Sequence, residues 1–477
     1  PYFLALCYKV SDASVLFVKL AQIALGVGTL FLVYQIGAKL RDARAGLVAA
    51  FFAAIYGPLF FHEGIFIPEA LSVPLYALSF LLVLQFLENK NVKNAVFLGV
   101  AAGLATLTKA GILIFMIGFF VFLAAGAVRK KEKFLSLLVC LLIYFGTLAP
   151  VTLHNWIRGG DRVLLTSHAG FNFYIGNNPK AEGVFAAPEG TGSNVDAQIA
   201  DSRLRAEADL GRELKPSEIS KYWADKAWQF IREDPGRFVD LCGRKLVLFF
   251  DSREISDVDD YQFGANLNDF LKIPWMNFTV LAPLFFMGLI SLFWNRKYGA
   301  VTFAWIAAYL AGLVTFFVNA RYRLPLLPVF FALAAMGTLD LFESLKNLSL
   351  KKTGLLLAGL GAGVWISSAH LVGTDWVRDY VNAGDALLEK KSHLQRRIDH
   401  ILLKEIPPET MEVFELNLAA KLREPGDRRR SHDRDGADVP VGDFVHELHQ
   451  PADRGIEPER FQIVRHGFNR FVQQPQL

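Results

Sequence analysis

The chain has 477 residues, 53% of them hydrophobic, and a mean hydropathy of +0.30. So much apolar surface exceeds what one globular core hides, which excludes a single water-soluble domain and leaves membrane spans as the alternative. Lys and Arg outnumber Asp and Glu by only 50 to 46, so the information lies in where the charges stand.

A span needs roughly 20 mostly apolar residues to cross about 30 Å of hydrocarbon. Ten stretches are candidates: residues 15–38, 45–61, 70–87, 95–107, 111–128, 134–151, 277–294, 300–318, 324–341 and 354–371. Alternate connections carry Lys39, Arg41 and Arg44; Lys90 and Lys93; Arg129, Lys130, Lys131 and Lys133; Arg296 and Lys297; and Lys346, Lys351 and Lys352. This is the positive-inside signature and makes those loops cytoplasmic. Removing the short segment 95–107 would put the 129–133 cluster outside, so parity supports it. The opposite connections hold few ionisable groups, each placed singly.

The stretch 150–185 divides the membrane part in two. Trp156 and Arg158 stand just past an apolar helix, where a span meets the headgroups. Gly170, Gly176 and Gly183 relax the backbone, and Asn177, Asn178 and Pro179 signal a tight turn. The expected fold is an α-helical polytopic membrane protein of about ten spans with a small α/β extracytoplasmic domain. Its parts are a first transmembrane part (1–152), the α/β domain (153–275), a second transmembrane part (276–372), a charged helical extracytoplasmic segment (373–423) and a disordered tail (424–477).

Within the insert, β-formers and Gly over 162–174 suggest strand, and 195–210 is helical in composition. Ile219, Tyr222, Trp223, Ala227, Phe230 and Ile231 recur at helical spacing. Asp234-Pro235 starts a further amphipathic helix with Phe238, Leu241, Cys242, Leu246 and Phe249 as its stripe, suited to lying along headgroups or to packing on its own domain. Cys7, Cys140 and Cys242 build no disulfide framework. In the tail, Arg428, Arg429 and Arg430 stand among Asp427, Asp433 and Asp435 and make no nucleic-acid patch, and His432, His446 and His449 lack metal-site spacing. The chain opens on Pro1 without a signal peptide, which implies an upstream span.

Ionisable residues at span ends are costly unless used, and so are the default functional candidates. His62, Glu63 and Glu69 share one loop, with Pro68 before Glu69 at a helix start; a capping role is the plain alternative. Lys109 is a lone cation between two apolar segments, and snorkelling would also account for it. Arg321 and Arg323, followed by Pro325 and Pro328, run against the charge bias and suit an anion such as phosphate; headgroup contact is the alternative. Arg158, Asn172, Tyr174 and Asn177 suit a sugar, although turns use the same residue types.

Several stretches in order, PYFLAL, FHEGIFIPEAL, GLATLTKAGILI, APVTLHNWIRGG, GFNFYIGNNPKAEG and NARYRLPLLPV, resemble the membrane glycosyltransferases of the C-type fold, the superfamily of the protein O-mannosyltransferases and aminoarabinose lipid A transferases, in its bacterial branch. The resemblance covers about residues 1–375. It implies sugar transfer from a polyprenyl-phosphate-linked donor to a lipid, glycan or protein acceptor on the outer face of the plasma membrane. A carboxylate would serve as general base, and cations or a divalent metal would hold the leaving phosphate. The resemblance further implies that the main acid pair lies just before the position matching Pro1, so the chain is N-terminally truncated.

What remains for catalysis is Glu63 and Glu69, with Lys109, Arg158, Asn172, Tyr174, Asn177, Arg321 and Arg323 for substrate and His62 as the candidate metal ligand. Where the family often has Arg before Pro, this sequence has Lys109 before Ala110, which keeps the charge but changes the donor geometry. Other classes with such a layout are a flippase or transporter and a non-catalytic scaffold with an outer binding domain. Broken spans with paired polar groups at mid-membrane, the mark of a secondary transporter, are not evident.

Overall fold

The computed structural model describes residues 2–127, 131–188, 195–255, 275–295 and 297–371, together with 261, 264, 265, 270, 271 and 273. The expected segment 373–423, the tail and the basic residues Arg129, Lys130 and Arg296 lie outside the described residues. All ten apolar stretches form helices, in a multi-pass membrane protein.

A short helix α1 (Tyr2–Val10) precedes α2 (Val15–Leu40), α3 (Ala43–Ala54), α4 (Gly57–Glu63), α5 (Glu69–Glu88), α6 (Val92–Thr108), α7 (Ile112–Ala127) and α8 (Lys131–Ile157). The insert follows as α9 (Ala169–Gly176), α10 (Val195–Leu210), α11 (Pro216–Glu233) and α12 (Pro235–Phe250). The bundle closes with α13 (Phe278–Ser291), α14 (Gly299–Val314), α15 (Leu327–Lys346) and α16 (Leu350–Ser367). A seven-residue 3₁₀ helix, Ala320–Leu326, leads directly into α15.

Among the described residues, four helical stretches are both long and apolar enough to cross a membrane, and the other apolar helices are shorter. Burial separates centre from rim: 83% of the apolar window leading into α15 and 67% of that in α5 are enclosed, against 22% in α2 and 28% in α8. A central helix must satisfy neighbouring helices on every side, whereas a rim helix meets lipid with much of its surface. The weak segment 95–107 forms α6, capped at its start by the Asn91 carboxamide oxygen, which accepts from the Asn94 N–H at 2.8 Å. Its small residues serve contact with α8. A Cβ on Gly99 would stand 2.9 Å from Cys140 O, and one on Gly103 would stand 2.6 Å from Thr147 Cβ.

The stretch 45–61 does not run as one helix. It breaks at Tyr56, where Gly57 N–H donates to Met276 O and Met276 N–H donates to Ile55 O, both at 2.9 Å. A helix interrupted near a bilayer must find new partners for its freed backbone groups, and the chain entering α13 supplies them.

The basic loops gather at one end of the bundle. Lys39 and Lys297 reach Glu88 at 2.5 and 2.6 Å, and Arg41 and Lys352 reach Asp340 at 3.5 and 3.1 Å. The insert meets the other end, where Gly183 O accepts from Val318 N–H and Ile255 O accepts from Ala320 N–H, each at 2.8 Å.

The insert corrects the expected α/β domain: its described residues form helices joined by turns and coil, and the bridges among the described residues, Tyr56 with Met276 and Val184 with Val318, are isolated. The β-formers near 163–165 lie beside the last turn of α8. There Thr152 Oγ1 donates to Leu164 O at 2.9 Å and Asn155 Nδ2 to Val163 O at 3.1 Å, so side chains take the place of a neighbouring strand. Phe171 and Ile175, four apart, pack with Trp223, and that spacing makes 169–176 a helix. Gly170 and Gly176 are close-packing positions, where a Cβ would lie 1.7 Å from Ser220 O and 2.0 Å from Phe316 O; of the three glycines, Gly183 has the positive φ, +90°.

In α11, Trp223, Ala227 and Phe230 are buried as the spacing predicts. The stripe of α12 is rotated from expectation: Leu241, Lys245, Leu248 and Phe249 face inward, and Leu246 is 38% exposed.

Candidate active site at the insert end of the bundle

Three breaks between helices meet at the insert end, and each contributes an ionisable group. Glu69 is the first residue of α5, its side chain 1% exposed. Lys109 caps the end of α6, with its N–H on Ala105 O at 2.9 Å. Its Nζ lies 2.5 Å from Glu69 Oε1, 3.4 Å from Arg321 O and 4.4 Å from the centre of the Tyr322 ring. Arg321 stands over the same ring at 5.6 Å. The 3₁₀ helix carrying it is capped by Asn319, whose side chain accepts from Tyr322 N–H at 3.1 Å.

Glu69, Lys109 and Arg321, predicted from three separate sequence stretches, thus share one neighbourhood around Tyr322. Arg323 points elsewhere. It is 1% exposed, donates to Arg253 O at 2.9 Å, pairs with Glu254 at 3.7 Å and covers the Phe278 ring at 4.2 Å. A guanidinium so enclosed anchors the 3₁₀ helix to the end of the insert, because a buried cation needs a carboxylate, a carbonyl or a ring face.

His62, Glu63 and Glu69 line one small cavity with Leu59, Ala70, Val73 and Leu324, about 200 Å³ including its open mouth. Glu63 lies against α2, where a Cβ on Gly26 would meet its carboxylate at 2.5 Å. Nearby, Gln22 donates to Ile65 O at 3.0 Å, tying the loop to the same helix. Burial pushes the Glu63 carboxyl up to about 7. It pushes the His62 imidazole down to about 4, against the opposing pull of Glu69.

Neutral His62, with its buried Nδ1 lacking a hydrogen-bond partner, has the right chemistry for a metal ligand. The set around it does not fit one: among the described residues, no three His, Cys, Asp or Glu side chains converge on a metal position. Glu69 Oε1 is already engaged by Lys109.

The residues of the insert do not join this group directly. Asn177 is fully buried. Its Nδ2 donates to Phe173 O at 2.8 Å and Thr315 O at 2.7 Å, while its Oδ1 accepts from Lys245 Nζ at 3.0 Å. Tyr174 packs on Trp223 at 4.8 Å, Asn172 is half-buried on α9, and Arg158 is exposed just past α8. Tyr322 is the link, since its ring also lies 5.8 Å from Phe317 in the insert-facing aromatic cluster.

Sequence reasoning missed Tyr76, Tyr309, Tyr322 and Glu254. Tyr322 stood in plain view between the two arginines, and Tyr76 lies seven residues after Glu69, two helical turns along nearly the same face.

Residues 1–152 match the family model of the dolichyl-phosphate-mannose-protein mannosyltransferases. The matched part contains Glu63, Glu69 and Lys109. No curated protein matches the chain.

Similar solved structures include the Archaeoglobus fulgidus oligosaccharyltransferase in complex with Zn and sulfate, at 17% identity and a TM-score of 0.37, covering 77% of this chain and 43% of that one. The oligosaccharyltransferase AglB of the same organism, in complex with an inhibitory peptide and a dolichol-phosphate, is similar at 14% identity and 0.35, covering 77% and 46%. An apo form gives 17% and 0.36, covering 77% and 47%. This chain therefore spans less than half the length of each.

Proposed function

We propose that the protein transfers a sugar from a polyprenyl-phosphate-linked donor to a lipid, glycan or protein acceptor, on the outer face of the plasma membrane. The observation that carries this reading is the cluster of Lys109, Arg321 and Tyr322 beside buried Glu69, at the end of a bundle whose first 152 residues match the mannosyltransferase family.

In this reading the bond between the sugar's anomeric carbon and the phosphate oxygen breaks, and the acceptor's oxygen forms the new bond to that carbon. Lys109 and Arg321 hold the departing phosphate, where charge accumulates. Arg323 acts from beneath by fixing the turn against Glu254. A carboxylate takes the acceptor's proton, and Glu63 and Glu69 are this chain's candidates. Membrane lipid surrounds the bundle, and Arg158 contacts headgroups. The outward placement of the insert rests on the Lys and Arg bias of the opposite loops.

The test is sugar transfer from a radiolabelled polyprenyl-phosphate sugar by protein in liposomes. Arg321→Ala should weaken donor binding by about 1.5–3 kcal/mol, the range of a charge-assisted hydrogen bond. Unchanged donor affinity with both Arg321 and Lys109 replaced by neutral residues would overturn the assignment.

A further inference from the structure

We propose that Tyr76 and Tyr309 are positioning residues, a pair of buried hydroxyls that set Lys109 and Tyr322 in register beneath the phosphate site; this rests on the function proposed above. Tyr76 is 1% and Tyr309 7% exposed, and their rings meet edge to face at 5.9 Å. Tyr76 donates to Lys109 O at 2.7 Å and accepts from Ile112 N–H at 2.8 Å. Tyr309 donates to Tyr322 O at 2.8 Å.

The chemistry of the helix breaks explains why hydroxyls are needed here. Residues 109–111 separate α6 from α7, so Lys109 O and Ile112 N–H lose the partners a continuous helix would give. A phenol can donate and accept at once, and Tyr76 does both across this gap. Gly111 between them is close-packed: a Cβ there would stand 2.9 Å from the Tyr309 ring and 3.3 Å from Tyr76 Oη.

The two hydroxyls act on the two residues whose side chains meet, Lys109 Nζ lying 4.4 Å from the Tyr322 ring centre. Tyr76 also shares α5 with Glu69, about 10 Å further along at 1.5 Å per residue. One helix thus carries both the carboxylate that pairs with Lys109 and the group that holds the Lys109 backbone. Simple satisfaction of backbone groups would stabilise the bundle but would not single out these two carbonyls.

Tyr76→Phe and Tyr309→Phe each remove one oxygen and keep the ring. With full-length protein in liposomes, each should raise the KM for the polyprenyl-phosphate sugar about three- to tenfold, the factor one hydrogen bond supplies. Repeating Tyr76→Phe in a Lys109→Met background separates the roles. Positioning through Lys109 predicts no further loss there, whereas a merely structural tyrosine predicts the same loss in both backgrounds and overturns the proposal. Hydrogen exchange of the Ile112 amide supplies a readout independent of catalysis. It should speed up in Tyr76→Phe, and unchanged exchange would also overturn the proposal. Absence of transfer by the unmutated protein would instead count against the proposed function, with the exchange result still deciding whether Tyr76 holds this segment.

Discussion

Glu69 differs from an ordinary helix cap because its carboxylate is buried and bonded to a cation from another helix. Glu69→Gln keeps the shape but leaves Lys109, with 18% of its side chain exposed, without its counter-charge. We expect a loss of stability of about 1–3 kcal/mol together with a drop in transfer of at least tenfold. A melting curve measured beside the transfer rate checks both, and normal turnover with lowered stability would reduce Glu69 to a structural residue. Glu63 behaves in the opposite way. Its folded pKa, about 7, lies above the ordinary 4.5, so the folded state binds the extra proton between those values and loses stability as pH rises through the window. Glu63→Gln should therefore raise the melting temperature at pH 8, by on the order of 1–2 kcal/mol of stability, and change it little at pH 4.5.

At the scale of elements, hydropathy made the ten apolar helical stretches legible, since lipid demands continuous runs. It did not reveal the break at Tyr56, because the partner that satisfies it, Met276, is remote in sequence. The insert was misread for a related reason: residues 162–174 have strand composition, but Trp223 and the end of α8 supply contacts that favour helix and coil. Lys245 illustrates the limit at one residue. Its position on the buried face of α12 reads as an error of pattern until Asn177 Oδ1 and Val314 O appear, each 3.0 Å from its Nζ. Burial pulls this lysine down to about 8. The unfolded chain therefore holds the extra proton from about pH 8 to 10.5, and stability should rise with pH across that range. Lys245→Met should flatten the slope, as measured by trypsin resistance of the insert in detergent. Asn177→Ala should cost about 1–3 kcal/mol by removing the bond to Thr315 O and leaving Lys245 with Val314 O.

For the whole molecule, the expectation to check is sidedness. With Cys242 replaced by Ser, a cysteine at exposed Lys180 in the insert should react with an impermeant thiol reagent in intact cells, and one at exposed Lys93 should not. Cys7 and Cys140 are buried and give little background. The reverse pattern would invert the topology and with it the outer-face chemistry.

The bridge between Tyr56 and Met276 also bears on biosynthesis. Its two strands of chain are separated by about 220 residues, which take roughly 10–45 s to synthesise at 5–20 residues per second. During that interval the acidic loop has emerged from the ribosome, but the backbone it docks on does not yet exist. Arg321 and Tyr322 arrive later still. The nascent protein thus carries its carboxylates well before the groups they meet, and the whole insert is synthesised in between. A chain stopped anywhere before residue 276 therefore lacks the backbone partner of the break at Tyr56, as well as Arg321 and Tyr322, however well its first helices are embedded.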